Sequence, residues 1–599
     1  MTIRYAVRPA DLGAHLFHVT VSIERPDPQG QQFTLPAWNP GSYMIREFAR
    51  HVVRLTALSA GRKLRVEKID KHTWRCARTD QDVTLAYEVY AFDLSVRAAH
   101  LDGRHGFFNG AALLLQPMGR DDERCRLDLI APPADQARGW QVITGLSTAR
   151  GTRAGEFGTY LASGYEELID CPVEMGRFAH QRFEVFGVPH EIAVSGRVAR
   201  LDLARVAADL KRLCEAQVRL FEPRTRRAPF ERYAFLTLAV DDGYGGLEHR
   251  NSAALLCRRD DLPHAGMQAS TEGYRRFLGL VSHEYFHAWN VKRIRPRSFV
   301  PYDLARENYT RLLWAFEGIT SYYDDLILAR CALLSPPQYL DMLAKTLTTV
   351  MQGTARLKQS LAQSSFDAWI KYYRQDENAP NSVVSYYQKG ALIALALDLT
   401  IRHASRGRRS LDDVMRWLWR SWRDAGASYA GLAEDGFANA VEQATGLDLS
   451  TSLRNWTEGM RDPDFAQLLA TVGVRLESKL ALDSPAFAML GMKLQGGCAD
   501  CRVAQVFDGG PAQKAGLSAG DILVALDGLR ITAARVDGLL ARYQPGDKVK
   551  LLAFRHEELL EFEPALARQA PPRFELHLDA GAGAEVRRRR SAWMGASRG

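Results

Sequence analysis

The hydrophobic period of this 599-residue chain changes near residue 200, so one type of layer cannot accommodate all of it. In "LFHVTVSIE" Phe17, Val19, Val21 and Ile23 alternate with His18, Thr20, Ser22 and Glu24, the two-residue period of a half-buried strand. "VTLAYEVYAF" repeats it through Val83, Leu85, Tyr87 and Val89, with turn chemistry such as "ERPDPQGQQ" and "AWNPGSY" between such runs. The spacing predicts an antiparallel, sandwich-like β region to about residue 195. Beyond it, "LDLARVAADLKRLCEAQVRLFEP" places Leu203, Val206, Leu210, Leu213 and Val218 on one helical stripe that stops at Pro223. A strand-like "YAFLTLAV" and a shorter "SAALLC" follow, then helices to about residue 465. From about residue 474 short strands and glycine turns return, so the fold class expected is multidomain α+β.

Composition excludes several functions. Hydrophobic residues make up 46% and charged residues 25%, ordinary globular values that let each domain bury a core. No apolar run approaches the roughly 20 residues of a membrane span, and the N-terminus carries no signal-peptide pattern, so a cytoplasmic location is expected. Eight scattered cysteines are too few for a disulfide framework. Cys498 and Cys501 form a CxxC without a second pair of ligands, which reads as a surface loop with two thiols. Of the net charge of +8, half equals Arg587, Arg588, Arg589 and Arg590. Without aromatics interleaved on a folded face these imply a solvated, disordered tail and no nucleic-acid partner.

The chemistry concentrates in "VSHEYFHAWN". Residues i and i+4 of a helix share a face about 6 Å apart along the axis, so His283 and His287 can direct their rings at one ion. Glu284 lies about 100° further round, where it can reach a water held there and act as general base. "STEGYRRFLGLV" supplies the helix, capped by Ser270 or Thr271, with Phe277, Leu278 and Val281 inward and Pro296 ending it. Two satisfied core histidines would be the plainer account, and a third ligand decides between them. Glu307 in "LARENYT" looks solvated. Glu317 in "RLLWAFEGITSYY" stands among Leu313, Trp314, Phe316 and Ile319, where a carboxylate is costly unless a cation compensates it. Glu317 is therefore the third ligand of one Zn2+ per chain. Asp324, two turns on, can orient a ligand histidine.

Taken together, "HEYFHAWN", "LLWAFEGITSYY", "SYYQKGAL" and "LPAWNPGSYMIREFARHV" resemble the glycyl aminopeptidase family of zinc metallopeptidases, in order and over nearly the whole chain. The resemblance implies a thermolysin-like, gluzincin-type catalytic domain with a helical second half, an N-terminal β domain and a C-terminal PDZ domain. The expected division is 1–195, the β domain; 196–470, the catalytic domain; 471–580, the PDZ domain; and 581–599, the basic tail. It also implies that Tyr387 of "YYQKG", which looks like the YEKG element of aminopeptidase N-type enzymes, hydrogen-bonds the oxyanion. Gln388 replaces the usual glutamate there. "GGLEH" is similar to the GxMEN element, so Glu248 would hold the free α-ammonium of a peptide, with Leu247 and His249 departing from the pattern. Gly245 and Gly246 would open an edge able to pair with the peptide backbone. The family implies removal of small N-terminal residues, glycine or alanine.

"GGPAQKAGLSAGDILVALDG" resembles a PDZ domain: a short helix ending at Gly516, a turn at Gly520-Asp521, a strand, and a turn at Asp527-Gly528. Leu490, Gly491 and Met492 of "MLGMKL" look like its carboxylate-binding loop for a peptide C-terminus. Competing readings are a zinc endopeptidase, or a PDZ peptide-binding scaffold with a vestigial metal site.

Overall fold

The computed structural model describes residues 2–133, 135–480, 485–495, 500–567 and 572–595. Cys498 lies outside them. Cys501 opens the strand Cys501–Val506 and is buried, so it is no surface thiol. The chain divides into two compact units: Met1–Tyr309, Tyr323–Leu334 and Val414–Gly436 form one, and Thr310–Tyr322, Ser335–Asp413 and Phe437–Gly599 the other.

In the first unit the alternating runs become strands. Leu16–Ile23 and Val83–Tyr90 pair antiparallel near the middle of an eight-stranded sheet, with Phe17, Val19, Val21 and Ile23 facing Val83, Leu85, Tyr87 and Val89 into one core. Two four-stranded sheets complete the β-rich N-terminal region. Its buried tyrosines spend their hydroxyls on one stretch of backbone: Tyr87 donates to the Leu113 carbonyl at 3.0 Å, Tyr165 to Leu114 at 2.6 Å and Tyr5 to Leu115 at 2.8 Å. Those bonds offset the desolvation of three phenols.

The β-rich region ends earlier than residue 195. Ala179–Val185 and Val188–Ser195 belong to a separate five-stranded sheet, in the order Ala179–Val185, Val188–Ser195, Tyr233–Val240, Ser252–Arg258, Gly245–Glu248. Val188–Ser195, Tyr233–Val240 and Ser252–Arg258 run parallel. A parallel strand is covered on both faces, which is why "YAFLTLAV" is nearly all apolar and does not alternate. Helix Leu203–Phe221 connects the first two, with Val206, Leu210, Leu213 and Val218 buried as the stripe requires. Gly245–Glu248 is an edge strand, antiparallel to Ser252–Arg258.

The second unit is helical and then returns to strands. The segment Trp314–Gly318 packs on helix Gln388–Ala404 with almost no clearance: a Cβ on Gly318 would sit 2.5 Å from the Gly390 Cα, and one on Gly390 would sit 2.8 Å from the Gly318 Cα. The glycines that follow Glu317 and Lys389 in sequence thus let two backbones touch. The C-terminal module has its own core, including Leu490, Met492, Val503, Leu523, Leu526 and Leu551. Helix Pro511–Lys514, Gly516 at φ 87° and strand Ile522–Leu526 fall where the spacing places them.

The basic tail is not a frayed end. Ala584–Met594 is a helix, held by its two buried apolar side chains, Trp593 and Met594. Trp593 is fully buried, and its indole N–H donates to the Tyr322 hydroxyl at 2.9 Å. Tyr322 donates in turn to the buried Asp398 at 2.6 Å, which also pairs with Arg402 at 3.0 Å. Arg402 reaches the Ala592 carbonyl, while Arg587 and Arg588 face solvent. Among the described residues no helix is long and apolar enough to cross a membrane.

Replacing Trp593 with alanine removes this anchor, and burying so large a side chain is worth about 3–5 kcal/mol. W593A is expected to be cut by trypsin within the arginine run at least tenfold faster than the native chain, as read by mass spectrometry of limited digests.

Candidate active site

The helix Glu272–Phe286 is capped by Thr271, whose hydroxyl accepts the Tyr274 N–H at 3.1 Å, and it buries Phe277, Leu278 and Val281. It does not run on to Pro296. His287 is its C-cap, and the chain folds back so that Lys292 N–H donates to the His287 carbonyl. Val291 takes φ 105° in that turn, a costly conformation for a β-branched residue. The turn places the Asn290 carbonyl 2.7 Å from His287 Nδ1. A carbonyl can only accept, so Nδ1 must donate, which leaves Nε2 of the neutral ring as a lone-pair donor. His283 is set the same way, its Nδ1 lying 3.1 Å from Asp324 Oδ2. Both imidazoles thus have the outer nitrogen engaged by oxygen, the arrangement that fixes a metal-ligating histidine.

Asp324 has a neighbour that the sequence pattern left unremarked. Burial raises the Asp325 carboxyl well above the usual carboxylate range, and the Asp324 carboxylate beside it adds to that. Burial raises the Asp324 carboxyl too, but the His283 imidazole facing it works in the opposite direction, so of the two Asp325 is the one more disposed to keep a proton.

His283 and His287 belong to the first compact unit and Glu317 to the second. Glu317 is 2% exposed; Glu307 is half-buried, less solvated than its sequence surroundings imply. Within the first unit, one donor atom from each of Glu248, Glu284 and His287 lies within 4.8 Å of the others.

Glu248 closes the edge strand Gly245–Glu248. It is 3% exposed, and its Oε1 has no hydrogen-bond partner among the described residues. Two glycines make room for the acidic groups. A Cβ on Gly246 would lie 1.9 Å from Glu284 Oε1, so the strand backbone passes directly over that carboxylate. A Cβ on Gly41, at φ 97°, would lie 2.5 Å from both oxygens of Glu248. Gly41 belongs to "AWNPGSY", to which the sequence reading assigns a turn and a place in the family resemblance but no role at the site. Arg97 donates to the Gly246 carbonyl at 3.1 Å and holds the edge in place. Just past Glu248, His249 Nδ1 and Lys292 Nζ meet Asp170 Oδ1 at 3.2 and 2.6 Å. Burial alone would raise the Asp170 carboxyl, but the ammonium and imidazole beside it hold it well below the usual range. The histidine that replaces the expected asparagine thus belongs to a buried charge network under the strand.

In the second unit Tyr387 begins helix Gln388–Ala404, and its hydroxyl lies 3.2 Å from that of Tyr373. Tyr386 is fully buried, and burial pushes its phenol well above the usual tyrosine range. Of the two, Tyr387 is the accessible one. In the C-terminal module Leu490 and Met492 are buried, Gly491 is left-handed at φ 68°, and Met492–Leu494 is the edge strand of its sheet.

This is a peptidase architecture: an HExxH helix under a sheet edge, a β-rich N-terminal region and a C-terminal PDZ module. Residues 4–177 match the peptidase M61 N-terminal domain, 276–393 the M61 glycyl aminopeptidase domain and 473–566 a PDZ domain. An aminopeptidase N family protein from Idiomarina loihiensis is 40% identical, with a TM-score of 0.93 over 99% of this chain and 100% of that one. The chain belongs to the M61 glycyl aminopeptidase family. An M1 zinc metallopeptidase from Deinococcus radiodurans is more distant, 12% identical with a TM-score of 0.48 over 77% of this chain and 94% of that one. A search of curated proteins finds no match.

The close passage over Glu284 leaves no room for a side chain on Gly246. Where a group takes part in a reaction, displacing it by about 1 Å costs on the order of 100-fold in rate. Gly246→Ala is expected to lower peptidase activity by about that factor, with unchanged secondary structure by circular dichroism.

Proposed function

We propose that the protein is a zinc-dependent aminopeptidase of the gluzincin type that removes small N-terminal residues, glycine or alanine, from peptides. The observation that carries this reading is the pair of histidines whose Nδ1 atoms are engaged by Asp324 and the Asn290 carbonyl. An oxygen on the outer nitrogen fixes a ring's tautomer and orientation, which a metal ligand requires and a core histidine does not. The donor set fits: two imidazoles and a glutamate are a catalytic zinc set, supplied here by His283, His287 and Glu317. One ion at this site is the reading adopted. When bound, zinc supplies a Lewis acid that polarises the peptide carbonyl and makes water acidic near neutral pH.

The chain's own groups do the rest. Glu284 takes the proton of the attacking water and delivers it to the leaving amine. Glu284 cannot be traded for a neutral amide, because the proton must have somewhere to go. Tyr387 donates a hydrogen bond to the oxygen on which negative charge develops, and Tyr373 orients its hydroxyl. The edge Gly245–Glu248 pairs with the extended substrate, Gly245 and Gly246 leaving its backbone accessible.

Glu248 supports an exopeptidase over an endopeptidase. Its carboxylate lies within 4.8 Å of the Glu284 and His287 donors. In a peptide the α-nitrogen and the first carbonyl carbon are only about 2.5 Å apart, from bond lengths of about 1.5 Å each. A carboxylate so close leaves room for one residue before the scissile bond. An α-ammonium neutralises its buried oxygen, which an internal amide cannot do. The PDZ module is read as a peptide-binding accessory, with the loop of Leu490, Gly491 and Met492 beside the edge strand as the place for a peptide C-terminus.

Glu284→Gln is expected to keep its zinc, read by elemental analysis, and to lose at least about 100-fold in hydrolysis of glycyl- and alanyl-anilides. Glu317→Ala is expected to lose the metal and Glu307→Ala to keep it. Glu248→Ala should raise KM for free peptides, and N-acetylated peptides should stay uncut by the native enzyme. Cleavage of acetylated peptides at native rates would establish the endopeptidase instead.

A further inference from the structure

A second cluster of metal-ligating side chains lies well away in sequence from the HEYFH helix, in a hairpin of the β-rich region. Strands Ala99–Leu101 and His105–Phe108 are joined by the turn in "HLDGRH", and Phe107 pairs with His100 on one side and with Glu174 of strand Val173–Gly176 on the other. Paired residues share a face, and His105, two residues before Phe107, lies on it too. His100, His105 and Glu174 therefore converge beneath a small cavity closed by Leu236, Leu238 and Ala254.

His100 is 4% exposed, and neither of its ring nitrogens has a hydrogen-bond partner among the described residues. A neutral imidazole carries one N–H donor and one lone pair, so both are buried unsatisfied, which is costly. The carboxylate beside it does not relieve this: His100 Nε2 is 3.6 Å from Asp102 Oδ2, too long for a hydrogen bond. Asp102 is held independently, its Oδ1 accepting the N–H groups of Arg104 and His105 and its Oδ2 the Arg104 guanidinium. Glu174 is likewise fixed, accepting the Ser195 hydroxyl at 2.5 Å.

What the spacing does match is part of a coordination shell. His100, Asp102 and His105 each offer one donor atom within 4.8 Å of the others. Tetrahedral ligands at bond lengths of about 2.0–2.1 Å stand roughly 3.3 Å apart, close to the 3.6 Å between His100 Nε2 and Asp102 Oδ2. We propose that His100, Asp102 and His105 form a second, structural divalent-metal site of the zinc class, with Glu174, 3.2 Å from His105 Nδ1, holding one ligand ring in place. Such an ion would occupy the His100 lone pair and brace the hairpin.

The full-length protein, stripped with chelator, reloaded with Zn2+ and dialysed, is expected to hold two zinc ions per chain by elemental analysis. His283→Ala/His287→Ala should retain one of them, and His100→Phe/His105→Asn should also retain one. In the His283→Ala/His287→Ala protein Co2+ should produce the intense visible bands of a tetrahedral site, and Zn2+ should raise its Tm. A native chain holding a single zinc that His283→Ala/His287→Ala abolishes, with no cobalt bands in that variant, would overturn the second site and leave the catalytic one standing. The cobalt measurement needs no substitution in the hairpin, so a misfolded His100→Phe/His105→Asn variant would not obscure the answer.

Discussion

Buried negative charge is the constraint on which this molecule turns. Glu248, Glu284 and Glu317 are each at most 4% exposed, and Asp324 and Asp325 lie side by side, half-buried. A carboxylate removed from water costs several kcal/mol unless a proton or a cation accompanies it. The protein uses both remedies. Burial pushes the Asp325 carboxyl towards its protonated form, whereas the proposed function gives the glutamates cations as partners, a metal ion for Glu317 and a substrate α-ammonium for Glu248.

The second recurring device is the absence of side chains where backbones must pass close to charged groups. Gly246 lets the edge strand cross Glu284, Gly41 lets the "AWNPGSY" turn approach Glu248, and the Gly318–Gly390 contact lets the Glu317 segment lie on the helix that Tyr387 begins. Each glycine sits beside a residue of the proposed chemistry. That placement ties the precision of the site to main-chain packing, which moves less than side-chain rotamers do.

Much of this was legible in the linear chain. The two-residue and 3.6-residue periods predicted the β-rich and helical regions, because a strand or helix buries one face and its sequence must repeat accordingly. HEYFH and the carboxylate of Glu317 could be singled out because a charge in so apolar a stretch needs a compensating ion. The boundary near residue 195 was misplaced because Val188–Ser195 is apolar enough to serve in either sheet, and only pairing with Tyr233–Val240 assigns it. The basic tail misled for a similar reason: four arginines outweigh one tryptophan in composition, yet burial of Trp593 decides its structure.

By itself the sequence determined what is local: periods, caps, the i,i+4 histidine pair, and the types of residue able to bind a metal, move a proton or close a turn. Those properties depend on neighbours within a few residues, and backbone geometry fixes them. Tertiary structure alone decided which distant groups meet: the Asn290 carbonyl behind His287, Asp324 behind His283, Gly41 against Glu248, Tyr373 beside Tyr387, and the hairpin histidines beside Glu174. Contacts of that kind depend on how layers pack and which strands pair, and no period or spacing along the chain encodes a distance between surfaces that only folding brings together.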